Sequence, residues 1–438
     1  MFNNLFTPLK LLFTDGSINL DIKFFSILVV LLPIALITGR AIPDIFLSLT
    51  ALYFLIISLH KKLWIYYKNP IVIFFLIFCF YGIIRSIFTN ITFESMTNEG
   101  SVFYFRYIFF SLGIWYLLDN NRHLSKSFLI VLIICLTMLS LDAYVQYFTG
   151  VNTIGIKKYS VSRLSGFMGG NEPVIGRYIS YLSILAFGLI CQNFKLTKKI
   201  IILSVLFLVL FETITFLSGE RAPFLSLTIF ILLVFIYFPN FRIYIGSGIL
   251  LSIFLIGIFL IINDEIRLRM IEHTISEISQ TSLPFLPYGV VHEEHYLSAL
   301  KIFNDYTIFG SGTNTFKFFC DKPEYIISRV SCTTHPHNVY IQTLSDLGII
   351  GFMFLFIFFT YLSIKLIKQF LFLTLSKKKN LISSDFLIFY IILFVYWWPL
   401  IPTMSFYNNW NNVFIMLPLG FFMKYLYGKS YNGTPHNF

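Results

Sequence analysis

The stretch Ser331-Cys-Thr-Thr-His-Pro-His-Asn-Val-Tyr-Ile-Gln-Thr-Leu-Ser-Asp-Leu-Gly-Ile-Ile-Gly351 sets a polar His-Pro-His-Asn loop directly on a long apolar run. Pro336 biases His335 towards an extended backbone, and residues two apart in an extended chain point the same way. His335 and His337 are therefore expected to face one space. A helix is expected to begin at about Asn338, a good N-cap type, and a helix N-terminus carries partial positive charge. A histidine on that edge titrates near neutral pH and suits proton transfer or anion binding.

The apolar run after Asn338 is one of many. The chain has 438 residues, 57% of them hydrophobic and 12% charged, with a mean hydropathy of +0.78, far from a soluble average. This is the composition of an all-α integral membrane protein. Apolar runs near the spanning length of about 20 residues recur at 22–39, 41–59, 70–88, 101–118, 127–149, 172–191, 199–217, 221–238, 243–262, 338–364, 384–400 and 411–427, about 12 candidate transmembrane helices. No short apolar segment with a small-residue cleavage site precedes them, so the first helix is expected to be an uncleaved anchor. Residues 1–262 then hold helices 1–9, 263–336 form one large outer loop domain, and 337–438 hold helices 10–12.

Orientation follows from Lys and Arg in short loops. With a cytoplasmic N-terminus, alternation puts Lys61, Lys62, Lys68, Arg122, Lys126, Lys195, Lys198, Lys199, Arg242, Lys365, Lys368, Lys377, Lys378 and Lys379 inside, and both termini with them. The net charge of +11 is explained by this bias. The basic residues are scattered over loops and make no contiguous stripe, which speaks against a nucleic-acid partner.

Charges at the helix ends carry more. Asp44, Arg85, Arg106, Asp142, Arg177, Glu212 and Arg221 each fall in the outer third of a different predicted helix. Intramembrane charge is expensive and normally faces a bundle interior or a wet cavity, so a polar cavity opening outward is expected. The outer segment 150–171 adds Lys157, Lys158 and Arg163 on the face where the topological bias disfavours them. In Leu217-Ser-Gly-Glu-Arg-Ala-Pro-Phe224, Arg221 stands in the first turn of a helix after a Gly219 turn. A planar guanidinium there suits bidentate phosphate recognition; the competing reading is a salt bridge to Glu220 or Glu212 that locks the hairpin.

In the long loop, Leu268, Ile271, Ile275 and Ile278 recur at helical spacing, which predicts an amphipathic helix lying over the bundle. Val291 to Phe303 reads as a second, with Tyr296, Leu300 and Phe303 on one face. Five of the eight histidines, His273, His292, His295, His335 and His337, lie in this loop or at its exit, so it is expected to form a partly ordered lid. Cys79, Cys135 and Cys191 fall in predicted helices and read as small apolar residues. Cys320 and Cys332 can close a disulfide in an oxidising compartment. The alternative is a metal site with His335 and His337, but the spacing lacks the short Cys pairs of common zinc sites.

His337-Asn338, nine residues, Gly348, two residues and Gly351 resemble the His-Asn-x9-Gly-x2-Gly signature of the O-antigen ligase and polymerase superfamily of bacterial envelope enzymes. Arg163-Leu-Ser-Gly with Glu172 downstream, Ser218-Gly-Glu-Arg221 and Gly310-Ser-Gly312 stand in the order that family uses, so the resemblance spans about residues 160–360. It implies a GT-C-like fold in the bacterial inner membrane with the active site facing the periplasm. It further implies transfer of a glycan en bloc from undecaprenyl diphosphate to a hydroxyl of lipid A-core or another glycan acceptor, inverting, without a cofactor or required metal. Membrane lipids are the remaining partners.

The resemblance makes His337 the catalytic histidine, as general base or acceptor-orienting group, and Arg221 a catalytic, diphosphate-binding arginine. Arg163, Arg177 and His292 are further diphosphate ligands, supported by Asn338, His335, Glu220 and Glu172. One departure stands out: many members carry an arginine early in the long loop, where this chain has His292-Glu-Glu-His295. That role then passes to His292, His295, Arg329 or Arg177. A polymerase tends to have two sizeable outer loops; 150–171 is short beside 263–336, which favours a ligase. A protein O-oligosaccharyltransferase uses a similar site. A secondary transporter would need midplane charges and repeated, broken helices, and no internal repeat is visible.

Overall fold

A computed structural model describes residues 6–89, 102–169, 173–282, 289–375 and 382–428. Glu172 and the basic run Lys377 to Lys379 lie outside the described residues. The described chain is helical, with only isolated bridges such as Val151 to Lys157 outside the helices. In order the helices are α1 (Thr7–Thr14), α2 (Leu20–Thr38), α3 (Ala41–His60), α4 (Pro70–Ile87), α5 (Arg106–Asn120), α6 (Leu124–Thr149), α7 (Ile175–Asn193), α8 (Lys198–Leu217), α9 (Arg221–Tyr237) and α10 (Arg242–Ile262). They continue with α11 (Asp264–Arg267), α12 (His273–Ser279), α13 (Val290–Asp305), α14 (Phe316–Phe319), α15 (Val339–Leu375), α16 (Ser384–Tyr396) and α17 (Asn409–Tyr427).

Each of the apolar runs read from the sequence holds a helix, and 8 helices among the described residues are long and apolar enough to cross a membrane. The others fall short for visible reasons: α5 begins only at Arg106, and α17 opens on Asn409, Asn411 and Asn412 and ends near Lys424. The surface is what a membrane requires. Ile243, Ile261 and Leu250 on α10 are 81%, 81% and 70% exposed, an apolar outer surface that suits a lipid environment. Polar groups turn inward and are paired. Asp44 meets Arg106 at 2.9 Å, and Glu212 accepts from Ser252 at 2.6 Å and Thr228 at 3.0 Å.

The Gly-x2-Gly spacing of α15 is a crossing of two backbones. Gly348 breaks the helix with φ 67°, ψ −168°, a conformation natural only to glycine. A Cβ on it would stand 2.3 Å from the Ile308 carbonyl, and one on Gly310 2.3 Å from that of Asp346. The closeness lets Ser311 N–H donate to Ser345 O at 2.9 Å and Gly312 N–H to Asp346 O at 2.8 Å. Helix α4 braces the crossing, with Arg85 donating to Gly310 O at 2.9 Å and Tyr81 to Leu347 O at 2.7 Å. The loop is thereby fixed to the bundle just before the His-Pro-His segment returns to it.

The first loop helix differs from its expected orientation. Leu268, Ile271, Ile275 and Ile278 are exposed by 38%, 38%, 64% and 41%, whereas Ile266 and Met270 are buried. The cause is a π-helical turn, Leu268–Glu272, between α11 and α12. A wider turn shifts the helical phase, so the four do not form one buried face: Ile271 and Ile278 line the cavity together with Arg269, Thr274 and Glu277, whereas Leu268 and Ile275 do not.

Candidate active site

His337 is placed by its neighbours on both sides. Asn338 caps α15, its Oδ1 accepting from Tyr340 N–H at 2.9 Å and Ile341 N–H at 3.2 Å, while its Nδ2 donates to Pro399 O at 2.7 Å. The His337 carbonyl accepts from Thr403 N–H at 2.8 Å. His337 itself has φ 55°, a left-handed conformation that a histidine adopts only where its surroundings enforce it. The expected extended stretch is thus replaced by a sharp turn, yet the result is similar: the His335 and His337 rings stand 4.2 Å apart. A disulfide joins Cys320 and Cys332 upstream, with Cα atoms 5.0 Å apart, so neither thiol is left for a metal.

Helix α13 supplies two more imidazoles. His292 and His295 lie 5.3 Å and 5.5 Å from His337, ring to ring. His295 Nδ1 donates to the Ser331 carbonyl at 3.0 Å, which turns its other nitrogen into the cluster. Among the described residues, no three His, Cys, Asp or Glu side chains stand where they could hold a metal ion.

The arginines gather around Gly219. This residue has φ +74°, and a Cβ on it would lie 2.3 Å from the Ser162 carbonyl, so only glycine lets the Arg163 loop approach the α8–α9 hairpin. Arg269 Nε donates to Gly219 O at 2.8 Å, and Arg221 Nη2 donates to Arg269 O at 3.0 Å. Arg221 Nη1 is ion-paired with Glu277. The Nε atoms of Arg163 and Arg221 are buried without a hydrogen-bond partner, a cost that a bound acceptor group would remove.

These groups line one cavity of about 1120 Å³ that includes Arg163, Arg177, Arg221, Arg269, His292 and His337. Its charge is strongly positive. Burial, then Arg163 and Arg221, push Arg269 down to about 10. Burial, then the neighbouring imidazoles and Arg177, push His337 down to about 4; burial, then His337, take His335 to about 3; and burial, then His295 and Arg221, take His292 to about 4. At neutral pH these histidines are neutral and able to accept a proton. Glu220 is the buried exception: desolvation pushes it up to about 7 against the Gly176 N–H and the charges of Arg163 and Arg177.

Of the seven charges read at helix ends, only Arg177 and Arg221 line the cavity; Arg85, Arg106, Asp142, Asp44 and Glu212 are spent on structure. Arg221 bonds to neither Glu220 nor Glu212. Glu220 instead accepts from Gly176 N–H at 2.6 Å and Arg177 N–H at 3.3 Å, holding the start of α7. Arg329 and His273 are exposed and line no part of the cavity. Arg269, which the sequence left unremarked, is a further arginine lining the cavity. Its only signal is position: a cation one residue before Met270, which is buried.

No curated protein matches this chain. Residues 203–356 match the family model described as O-antigen ligase, which runs from α8 through Arg221, Arg269 and the histidine cluster to Gly351. That match supports the resemblance to the O-antigen ligase-like superfamily read from His337-Asn338 and the two glycines of α15.

Proposed function

We propose that this cavity transfers a glycan en bloc from undecaprenyl diphosphate to an acceptor sugar hydroxyl of lipid A-core at the periplasmic face. One observation carries the reading: Arg163, Arg221 and Arg269 converge around Gly219 in the same cavity as a neutral His337. In this reading the acceptor oxygen attacks the anomeric carbon from the side opposite the diphosphate. The new carbon–oxygen bond forms as the bond to the phosphate oxygen breaks, its electron pair stays on the diphosphate, and the acceptor's proton passes to His337. The configuration inverts. Fixed guanidinium groups in a water-poor site stabilise the charge that develops on the leaving group without reorganising. A positioned imidazole adds about 10²–10⁴-fold. Arg163 and Arg221 are the proposed diphosphate ligands, with Arg269 in the role expected of a loop arginine and His292 beside Arg221. Asn338, His335 and Glu220 act by positioning.

The test is a deletion strain examined on a lipopolysaccharide gel. Carrier-linked polymer accumulating beside bare core means a ligase. A single repeat on core means that the same cavity serves a polymerase instead, and an unchanged pattern with under-glycosylated protein means a protein acceptor.

A further inference from the structure

A proton taken up by His337 has to leave it again before the next turnover. Burial, then the neighbouring imidazoles and Arg177, disfavour an imidazolium at that position, and no ion pair of the described residues includes His337 to hold one. A bound acceptor also covers the cavity side of the ring and expels water from it. The proton then needs a protein group to carry it onward.

Three imidazoles flank His337, and they differ in what lies beyond them. His295, 5.5 Å away ring to ring and 2% exposed, donates Nδ1–H to the Ser331 carbonyl at 3.0 Å. A carbonyl accepts but has no proton to pass on, so this ring leads nowhere. His292, at 5.3 Å, has a buried Nδ1 without a hydrogen-bond partner. His335 is nearest, at 4.2 Å, and it has both of the ends that a carrier needs. Its Nε2 is buried without a hydrogen-bond partner; the Thr403 backbone, which also acts on this ring, lies outside hydrogen-bonding geometry. Its Nδ1 stands 2.9 Å from the hydroxyl of Thr334, an exposed residue. The segment is fixed: Thr333 Oγ1 donates to the His335 carbonyl at 2.7 Å, and Cys332 is tied to Cys320.

We propose that His335 and Thr334 form the proton exit of the site, carrying the proton taken by His337 to bulk water. The proposal rests on His337 as the base, as proposed above, and adds to the positioning role of His335. The N–H bond on His337 breaks as one forms at His335 Nε2. The Nδ1–H bond of His335 breaks as its proton passes to Thr334 Oγ1, and the hydroxyl's own proton goes to water. One proton enters and one leaves, so His335 ends neutral with its proton on Nε2, and rotation of the ring between turnovers restores the starting tautomer. An imidazole with a lone pair on one nitrogen and an N–H on the other suits this two-ended exchange.

The experiment is glycan transfer by the full chain in proteoliposomes containing carrier-linked oligosaccharide and lipid A-core, with insertion and pyrophosphate binding measured for each variant. His335→Ala is expected to lower kcat about ten-fold, less than the loss expected of the base itself, with pyrophosphate binding retained. Free imidazole, small enough to enter beside the exposed Thr334, is expected to restore the rate as its concentration rises, because it replaces the missing carrier. His335→Gln, which fills the space but carries no proton, is expected to show the same deficit and the same rescue. Thr334→Val is expected to slow transfer several-fold and respond to imidazole in the same way, while Thr334→Ser recovers most of what Val loses. An unchanged kcat in both His335 variants, or a fall that imidazole restores in neither, overturns the proposal; the second result would make His335 a packing group. Wild-type turnover in His337→Ala would overturn the base assignment and the exit with it, whereas an inactive His337→Ala beside fully active His335 variants would overturn the exit alone.

Discussion

Glu277 on the loop helix α12 is ion-paired with the guanidinium of Arg221 at the start of α9, and both side chains line the cavity. The carboxylate therefore occupies the donor atoms that a lipid diphosphate would use. Binding must displace it, and what the substrate gains is reduced by what the ion pair loses. Glu277→Gln is expected to strengthen pyrophosphate binding several-fold, on the order of 1 kcal/mol for a half-exposed pair. Equal or weaker binding by calorimetry would show that Glu277 does not compete.

Arg269 lies in the π turn and donates to Gly219 O at 2.8 Å. Arg269→Ala is expected to raise the KM for carrier-linked donor about ten-fold, the loss of one charge-assisted hydrogen bond of about 1.5–3 kcal/mol partly offset by relief of repulsion from Arg163 and Arg221. An unchanged KM would remove Arg269 from donor binding. Arg221→Lys is expected to recover only part of wild-type turnover, because an ammonium cannot reproduce bidentate geometry; full recovery would contradict that role.

Acid should destabilise the unliganded protein. His292, His335 and His337 have folded values near 4, 3 and 4 against 6.5 when free, so the unfolded chain binds more protons between those limits and stability falls as pH drops from about 6.5 to about 4. Glu220 acts oppositely, since its raised value makes the folded state hold the extra proton between 4.5 and about 7. Replacing Glu220 by Gln should therefore steepen the acid loss, and replacing His337 by Gln should flatten it. Thermal unfolding at pH 5 and pH 7 checks both signs; parallel curves in the variants would refute the assignment.

Gly348→Ala is expected to disrupt the crossing with Gly310, because the added Cβ would meet the Ile308 carbonyl at 2.3 Å and the residue requires a positive φ. Loss of folded, membrane-inserted protein is the expected readout. Wild-type expression with full activity would show that the crossing can open.

What the sequence made legible was set by periodicity and local chemistry. Apolar runs located the helices, the Asn338 cap located the start of α15, and the positive outer segments pointed to an anion cavity. Two things were not readable. The π turn at Leu268–Glu272 split the expected apolar face, leaving Leu268 and Ile275 outside the cavity that Ile271 and Ile278 line, because a phase shift leaves no mark in an apolar count. The fates of Arg85, Arg106 and Arg177 looked alike in the sequence, and only the tertiary partners, a carbonyl, Asp44 and Asn411, separated structural cations from the one in the cavity.

The central claim is that His337 receives the acceptor's proton while the Gly219 arginines hold the diphosphate. Its most direct test is turnover in proteoliposomes containing carrier-linked oligosaccharide and lipid A-core, comparing wild type with His337→Ala at matched insertion. The account predicts a fall in kcat of about 10²–10⁴-fold with pyrophosphate binding retained. A variant that still transfers glycan at the wild-type rate would contradict it.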